Sequence, residues 1–453
     1  MRVVIFVALL LIEIDSLMAN ECYDVVIIGC GSSGIGAAVE LISHSNMSLL
    51  IIEARDRVGG RAYTDQNSLD FPFDIGAEWI HEYDSNNPLY QLHEKLKTEL
   101  DTDEYIQLFD TERIACFDTT NGSMIDSQIA LQAQETVNKL FTKHFDGVDV
   151  SVDDVIRDEF DRLDQNQHKR LVKAILISME EIFAADLDQL SAKQYLQEPG
   201  WSLKDESENN LVLKRGYGRF LQRIADHYQL PIILNTIVTQ IDTRTSSDIV
   251  QISTSNGQKI TAKYVIITIP LGCLKQQTIV FQPPLPKWKL DAIKQFGFGN
   301  TDKIIVQFDR VFWNTNWTII YLVDAPFPFA LCNTNKRTLS FMIGGRSAVA
   351  MENQKDETII TQILNNLQQV FTQEKFHVEH YIISRWTQEK FSLGSYSYFN
   401  LNSTVQTMEM LAKECAENRL FWAGEHTSQG ASVHTAFATG QRAAHKILVH
   451  HSQ

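Results

Sequence analysis

"YDVVIIGCGSSGIGAAVELI", residues 23–42, decides the fold. Its first part is a continuous apolar run, the composition of a parallel strand buried on both faces. Gly29, Gly31 and Gly34 follow in the spacing of a dinucleotide turn, and "IGAAVELISH" sets apolar residues at helical intervals. Beyond it, "SLLIIE" reads as a second buried strand ending on Glu53. Strand, glycine turn, helix, strand and acid form a βαβ unit, with the acid about twenty residues past the glycines. Gly29 permits the tight turn, Gly31 lets backbone approach a pyrophosphate, and Gly34 allows the helix to pack closely on the strand. The helix N-terminus faces the negative charge. Glu53 is placed to accept hydrogen bonds from ribose hydroxyls.

Outward from this unit, the 453 residues suffice for two or three domains. The composition, 44% hydrophobic and 21% charged, is that of an ordinary soluble globular protein. A net charge of −16 argues against nucleic acid, whose binding proteins carry basic patches. It suits the attraction of cationic ligands. The start, "MRVVIFVALLLIEIDSLMAN", has Arg2, an apolar run over 3–12 and the small Ala19. It reads as a signal peptide over 1–19, too short to be a stable membrane span, and points to secretion. Sequons at Asn46, Asn121, Asn316 and Asn402 agree with a secreted glycoprotein. The six cysteines lie far apart, with no CxxC pair and no metal site implied. One or two disulfides are left open, and Cys30 reads as a free buried residue.

Further along, Asn87-Pro88 reads as a helix cap and first helical residue. Leu89 to about Tyr195 reads as mostly helical. From Gly216 the α/β pattern returns: "PIILNTIVTQID" as a strand, then a hairpin turning at Asn256-Gly257, then a further buried strand. The resulting expectation is an α/β protein. A doubly wound, Rossmann-type dinucleotide-binding domain of the glutathione-reductase kind takes residues 20–85, 205–285 and 390–450. A mixed-sheet and helical substrate domain takes 86–204 and 286–389.

Three motifs select FAD within that frame: "RVGGR" (57–61), "DIGAEWIH" (74–81) and "FWAGEHT" (421–427). Together with the glycine turn they resemble the flavin-containing amine oxidases, closest to the polyamine oxidases that act on spermine or N1-acetylpolyamines. The resemblance implies cofactor contacts from Gly29, Gly31, Gly34, Glu53, Arg55, Gly60, Arg61, Gly76, Ala77, Glu78, Trp79, Val238, Trp386, Gly424, Glu425 and Val433. Arg61 suits phosphate, as a planar and always charged fork. The helix beginning near Val433 would direct its N–H groups at the flavin O2 side. Lys303, in "NTDKIIVQF", resembles the lysine that holds a water beside flavin N5, where a dry setting lowers a lysine's hold on its proton. His81 resembles a substrate-side histidine, with Glu82 next to it, and Tyr396 one wall of an aromatic cage. Ser432 stands where many relatives have the second wall. Ser395 stands where monoamine oxidases carry the cysteine bonded to flavin, so FAD is expected to be non-covalent. Glu180 and Glu181 are read as a solvated helix face.

The implied reaction oxidises a secondary amine of a polyamine, spermine, spermidine or an N1-acetyl derivative. The products are an aldehyde, a shorter amine and, from molecular oxygen, hydrogen peroxide. Two alternatives stand beside it: a secreted L-amino-acid oxidase, which needs a pocket arginine, and a secreted flavoprotein without turnover, consistent with Ser432. No nucleic-acid partner is expected, and oligomeric state is not legible.

Overall fold

The glycine turn forms because Gly29 and Gly34 each meet a constraint that a side chain would break. The computed structural model describes residues 22–97, 104–106, 111–143, 145–196 and 210–451, so the leader read at 1–19 lies outside them. Strand Cys22–Ile28 pairs in parallel with Leu49–Ile52 on one side and with Lys259–Ile267 on the other. Gly29 turns the chain at φ 103°, a conformation that favours glycine. A methyl group at Gly34 would overlap the Gly29 carbonyl oxygen. The helix Ser32–His44 then packs on the C-terminal helix Val433–His451, where Gly36 meets the Phe437 carbonyl and Gly440 that of Ser33.

These elements belong to the first of two compact units, the described residues of Met1–Gly60, Leu221–Lys294 and Val405–Gln453. Its sheet runs, in parallel, Ile232–Ile233, Leu49–Ile52, Cys22–Ile28, Lys259–Ile267 and Leu420–Trp422. Val250–Thr254 and Val238–Asp242 extend it antiparallel from Lys259–Ile267, and Val280–Gln282 pairs in parallel with Val238–Asp242.

Two readings are corrected here. The segment expected as one strand, "PIILNTIVTQID", is two, because Asn235 breaks it with φ 54°. The hairpin's second strand and the buried strand after it are a single nine-residue strand, Lys259–Ile267. The Asn256-Gly257 turn is present, with Gly257 at φ 85°.

The second unit comprises the described residues of Arg61–Phe220 and Gln295–Thr404. Its division differs from the sequence-based one because residues 61–85 pair locally within it. Thr64–Asp65 pairs with Phe73–Asp74, and Trp79–Ile80 with Asn210–Val212. Ser397–Tyr398 likewise pairs with Gly297–Phe298. A seven-stranded mixed sheet is ordered Val378–Ile383, Thr301–Phe308, Thr338–Gly344, Phe329–Asn333, Ile319–Val323, Ile114–Asp118 and Ser123–Met124. Strand Ile114–Asp118 interrupts the region read as mostly helical; its "IACF" is buried by a parallel partner, Ile319–Val323.

The alternation of a strand explains its two cores. Ile114, Cys116, Ile319 and Tyr321 face a cluster built with helices Ser127–Phe141 and Gln167–Ile182. Ala115, Phe117, Ile320 and Leu322 face another built with helices Gly345–Glu352 and Asp356–Val370. Helix Pro88–Leu96 starts where the sequence placed it, with the Asn87 side chain accepting from the Leu89 N–H. All six cysteines are free, which resolves the pairing left open above. Among the described residues, no helix is long and apolar enough to cross a membrane.

Two substitutions test this packing. Gly34→Ala is expected to lower stability by about 1–3 kcal/mol, the usual range for overpacking. Tyr217→Phe is expected to leave the thermal midpoint unchanged or raise it, because the buried hydroxyl has no partner among the described residues. Thermal denaturation of both variants against the parent reads each outcome.

Candidate active site

In the first unit, the motifs gather at the glycine turn. At Gly31 an added Cβ would make only an ordinary contact, with the Gly60 Cα at 3.9 Å. Glu53 is buried and holds the turn, its Oε2 accepting from the Cys30 N–H at 2.6 Å and its Oε1 from the Arg55 N–H at 2.9 Å. Cys30 thus contributes its amide. Its thiol is buried and held well above the ordinary range, by burial first and by the Glu53 charge second. The "RVGGR" loop docks on the same turn. The Gly59 N–H donates to the Cys30 carbonyl at 2.8 Å, and Arg57 donates to the Gly60 carbonyl at 2.9 Å.

The C-terminal motif arrives from the other side. Ser32 Oγ donates to the Val433 carbonyl at 2.7 Å, which sets the starts of the two long helices side by side. Gly424, at φ 134°, donates its N–H to Thr439 Oγ1 at 2.9 Å, and Glu425 follows it, buried. Val238 is buried at the start of its strand. A side-chain-free Gly31, flanked by two helix starts, fits a dinucleotide's diphosphate. Glu53 retains lone pairs for ribose hydroxyls. Ser432, read as a missing cage wall, caps the C-terminal helix: its Oγ accepts from the Thr435 N–H at 3.3 Å and lies 3.0 Å from His434 Nδ1.

In the second unit, Glu78 and Trp79 meet Lys303, in strand Thr301–Phe308. Its ammonium is buried and donates to Glu78 Oε2 at 2.7 Å and to the Asp74 carbonyl at 3.1 Å. It also lies 5.8 Å from the centroid of the Trp79 ring. The expectation of a lysine desolvated without compensation therefore changes: a carboxylate from the "DIGAEWIH" motif is its partner. A side chain at Gly76 would overlap the Arg61 carbonyl and press on the Trp386 ring, so only glycine lets these segments meet. The Ala77 N–H adds a bond to the Arg61 carbonyl at 3.2 Å. The Arg61 guanidinium donates to the Ser395 carbonyl at 2.5 Å and stacks 5.7 Å from the Phe298 centroid.

His81 Nδ1 lies 2.9 Å from Asn210 Oδ1, an acceptor that calls for the proton on Nδ1. Tyr396 is anchored by its hydroxyl, which donates to the Glu181 and Ile182 carbonyls at 2.7 and 3.0 Å. Ser395 Oγ donates to the Thr301 carbonyl at 2.8 Å, tying its segment to the start of the lysine strand. Glu181 is buried, and burial with the Asp186 charge pushes Glu180 up to about 7, which corrects the reading of both as a solvated face.

Asp74 was quoted in the motif and given no role. It is buried, with its carboxyl accepting from Thr64 Oγ1 at 2.5 Å and from the Tyr217 N–H at 2.9 Å. Burial, opposed by the Thr64 bond, pushes it up to about 7. The available signal was an acid inside the apolar run "FPFDIG".

A family model described as flavin containing amine oxidoreductase matches residues 32–448. Among curated proteins the chain is similar to Polyamine oxidase 2 of Arabidopsis thaliana. The two are 31% identical over 450 residues, which cover 94% of this chain and 88% of that protein. It is also similar to Polyamine oxidase 5 of Oryza sativa subsp. japonica, 32% identical over 449 residues with the same 94% and 88% coverage. Among solved structures it is similar to a putrescine oxidase redesigned in its cofactor binding, with a TM-score of 0.74 and 18% identity over 94% of this chain and 99% of the other. That likeness is one of fold.

The Asp74 carboxyl gives a pH test. A folded-state value raised from 3.8 to about 7 means the native protein binds this proton more tightly than the unfolded chain. The stability it contributes is present below the lower value and lost as pH rises through the upper one. Asp74→Asn is expected to flatten the fall in thermal midpoint between about pH 4 and 7. A variant as steep as the parent would remove Asp74 from that titration.

Proposed function

The chain belongs to the flavin-containing amine oxidoreductases and uses FAD as its cofactor, and from that premise we propose that it oxidises a secondary amine of a polyamine to an imine, which water hydrolyses to an aldehyde and a shorter amine. Bound FAD supplies the two-electron oxidation and passes those electrons to oxygen, giving hydrogen peroxide. The glycine turn, Glu53, "RVGGR" and the starts of the two long helices would hold its dinucleotide part.

The observation that carries the reading is the buried Lys303–Glu78 pair beside Trp79. An ammonium has three donors, and two of those on Lys303 are used among the described residues. The third is free to hold a water or pass a proton. Glu78 takes its bond on Oε2, and its Oε1 accepts none among the described residues. That oxygen suits the N–H of an amine, which must lose its ammonium proton before oxidation. Trp79 supplies a face for a cationic or neutral amine. The polyamine oxidases among its relatives and the acidic chain, with a net charge of −16, support a polycationic substrate. Ser395, committed to Thr301, supports a non-covalent cofactor.

Secretion belongs to the same proposal. It is supported by the leader and by four sequon asparagines that are all exposed. Recovery from culture medium of a glycosidase-sensitive protein beginning near Asn20 is the expected result.

The holoenzyme, mixed without oxygen with spermine, spermidine, N1-acetylspermine, tyramine and amino acids, is expected to lose flavin absorbance with a polyamine alone. Bleaching by amino acids only would overturn the reading. Lys303→Met is expected to slow reduction or reoxidation by about 10²-fold or more, the scale of a lost proton-transfer group. Denaturation in acid is expected to release all the flavin into solution.

A further inference from the structure

Beside the lysine lies a second charged group that none of the foregoing uses. Asp302 precedes Lys303 in its strand, and Glu352 ends the helix Gly345–Glu352. Both carboxyls are buried, at 0% and 3% exposure. One side-chain amide serves both: Asn300 Nδ2 donates to Asp302 Oδ2 at 2.6 Å and to Glu352 Oε1 at 2.9 Å.

The remaining contacts all lead to backbone. Asp302 Oδ1 accepts from the Trp386 N–H at 3.1 Å and from Ser384 Oγ at 2.7 Å. That same Ser384 Oγ accepts from the Lys303 N–H at 2.8 Å, and the Ser384 N–H returns a bond to the Lys303 carbonyl at 3.0 Å. Glu352 Oε1 accepts from the Thr387 N–H at 2.9 Å, and Thr387 Oγ1 donates to Oε2. The two acids thereby fix the main chain at Lys303 and at Trp386 and Thr387.

No cation offsets them among the described residues. Arg385 donates to the carbonyls of Glu352 and Gln354, each at 3.1 Å, and to Asp356 Oδ1 at 2.6 Å. Lys303 is paired with Glu78. The Asn300 amide holds the two buried carboxyls together, and burial beside a second acid favours a proton on Asp302.

We propose that Asp302 and Glu352 are positioning residues for the amine oxidation, a carboxyl pair closed by one proton that sets the backbone of Lys303 and Trp386. This rests on the reading above that those two residues serve the reaction. Burial first, and the bond to Glu352 second, push Asp302 up to about 8. Its proton is therefore held at neutral pH and lost as pH rises through that value. The clasp then carries two buried charges and loosens.

Two readouts on the holoenzyme test it between about pH 6 and 9.5: the kcat profile with a bleaching amine, and the temperature at which flavin is released. The parent is expected to lose both through about pH 8. Glu352→Gln keeps an acceptor for the Asn300 amide and the Thr387 N–H and removes the second carboxyl. Its fall in both readouts up to about pH 8 is expected to be shallower than the parent's, because burial still raises Asp302 but the neighbouring carboxyl is gone. Ser384→Ala is expected to reduce kcat about 10-fold with KM within about twofold.

A parent whose release temperature is flat over this range overturns the clasp. So does a Glu352→Gln variant that keeps the parent's alkaline limb. The release temperature needs no substrate. If it behaves as expected while no amine bleaches the flavin, the proton-closed pair stands and the polyamine reading fails. If amines bleach the flavin and the temperature does not respond, the reverse holds.

Discussion

Close approach of backbone to backbone at glycine is the constraint on which the first unit depends. Gly34 lies against the Gly29 carbonyl, Gly36 against that of Phe437 and Gly440 against that of Ser33. Any Cβ at these points would drive the helix off the strand, or one helix off the other. Because the gaps are closed, the Ser32 hydroxyl reaches the Val433 carbonyl and the two helix starts stand together. Glu53 then works inward, gathering the Cys30 and Arg55 amides. Cys30, whose place in the turn had no evident reason, fills a buried position with a small apolar side chain while its amide does the holding.

Local features were legible and long-range ones were not. The βαβ unit was readable because turn, helix and both strands lie within about thirty residues and each carries its own signal. The Asn87 cap was readable for the same reason. Strand Ile114–Asp118 was not. It is short, it sits among helices, and what makes it a strand is a parallel partner, Ile319–Val323, about two hundred residues later. "PIILNTIVTQID" looked continuous because its break depends on a positive φ at Asn235, which composition does not announce. The boundary near Gly60 also depends on pairings such as Trp79 with Val212, which reach across more than a hundred residues.

The site divides along the same line. Its motif residues, Gly76, Glu78, Trp79 and Lys303, were all quoted from the sequence, and the structure gathers them in one unit. The pairing of Glu78 with Lys303 was not legible, since neither motif names the other. Asp302 stood in the quoted "NTDKIIVQF" without a role, because its meaning comes from Glu352, in a helix with no motif of its own. Ser432 was legible in part for a related reason. Its absence as a ring was readable, but its use as a helix cap is a property of Thr435 three residues on.

The buried acids around the lysine are each neutralised by a different means, and the differences bear on which amine the site accepts. Glu78 has an ammonium, Asp74 has a hydroxyl and a backbone N–H, and the Asp302–Glu352 pair has a proton on Asp302. Lys303 and Glu78 thus balance each other beside Trp79 before any ligand arrives. A cation entering a site already balanced gains little from it, so the reacting nitrogen of the proposed substrate is best accommodated neutral. The chain as a whole is strongly negative, at −16, and that field acts at longer range to concentrate polycations. Long-range attraction for the charged polyamine and local balance for its uncharged nitrogen are therefore separate properties. The first follows from composition, and the second only from three carboxyl environments that the fold assembles.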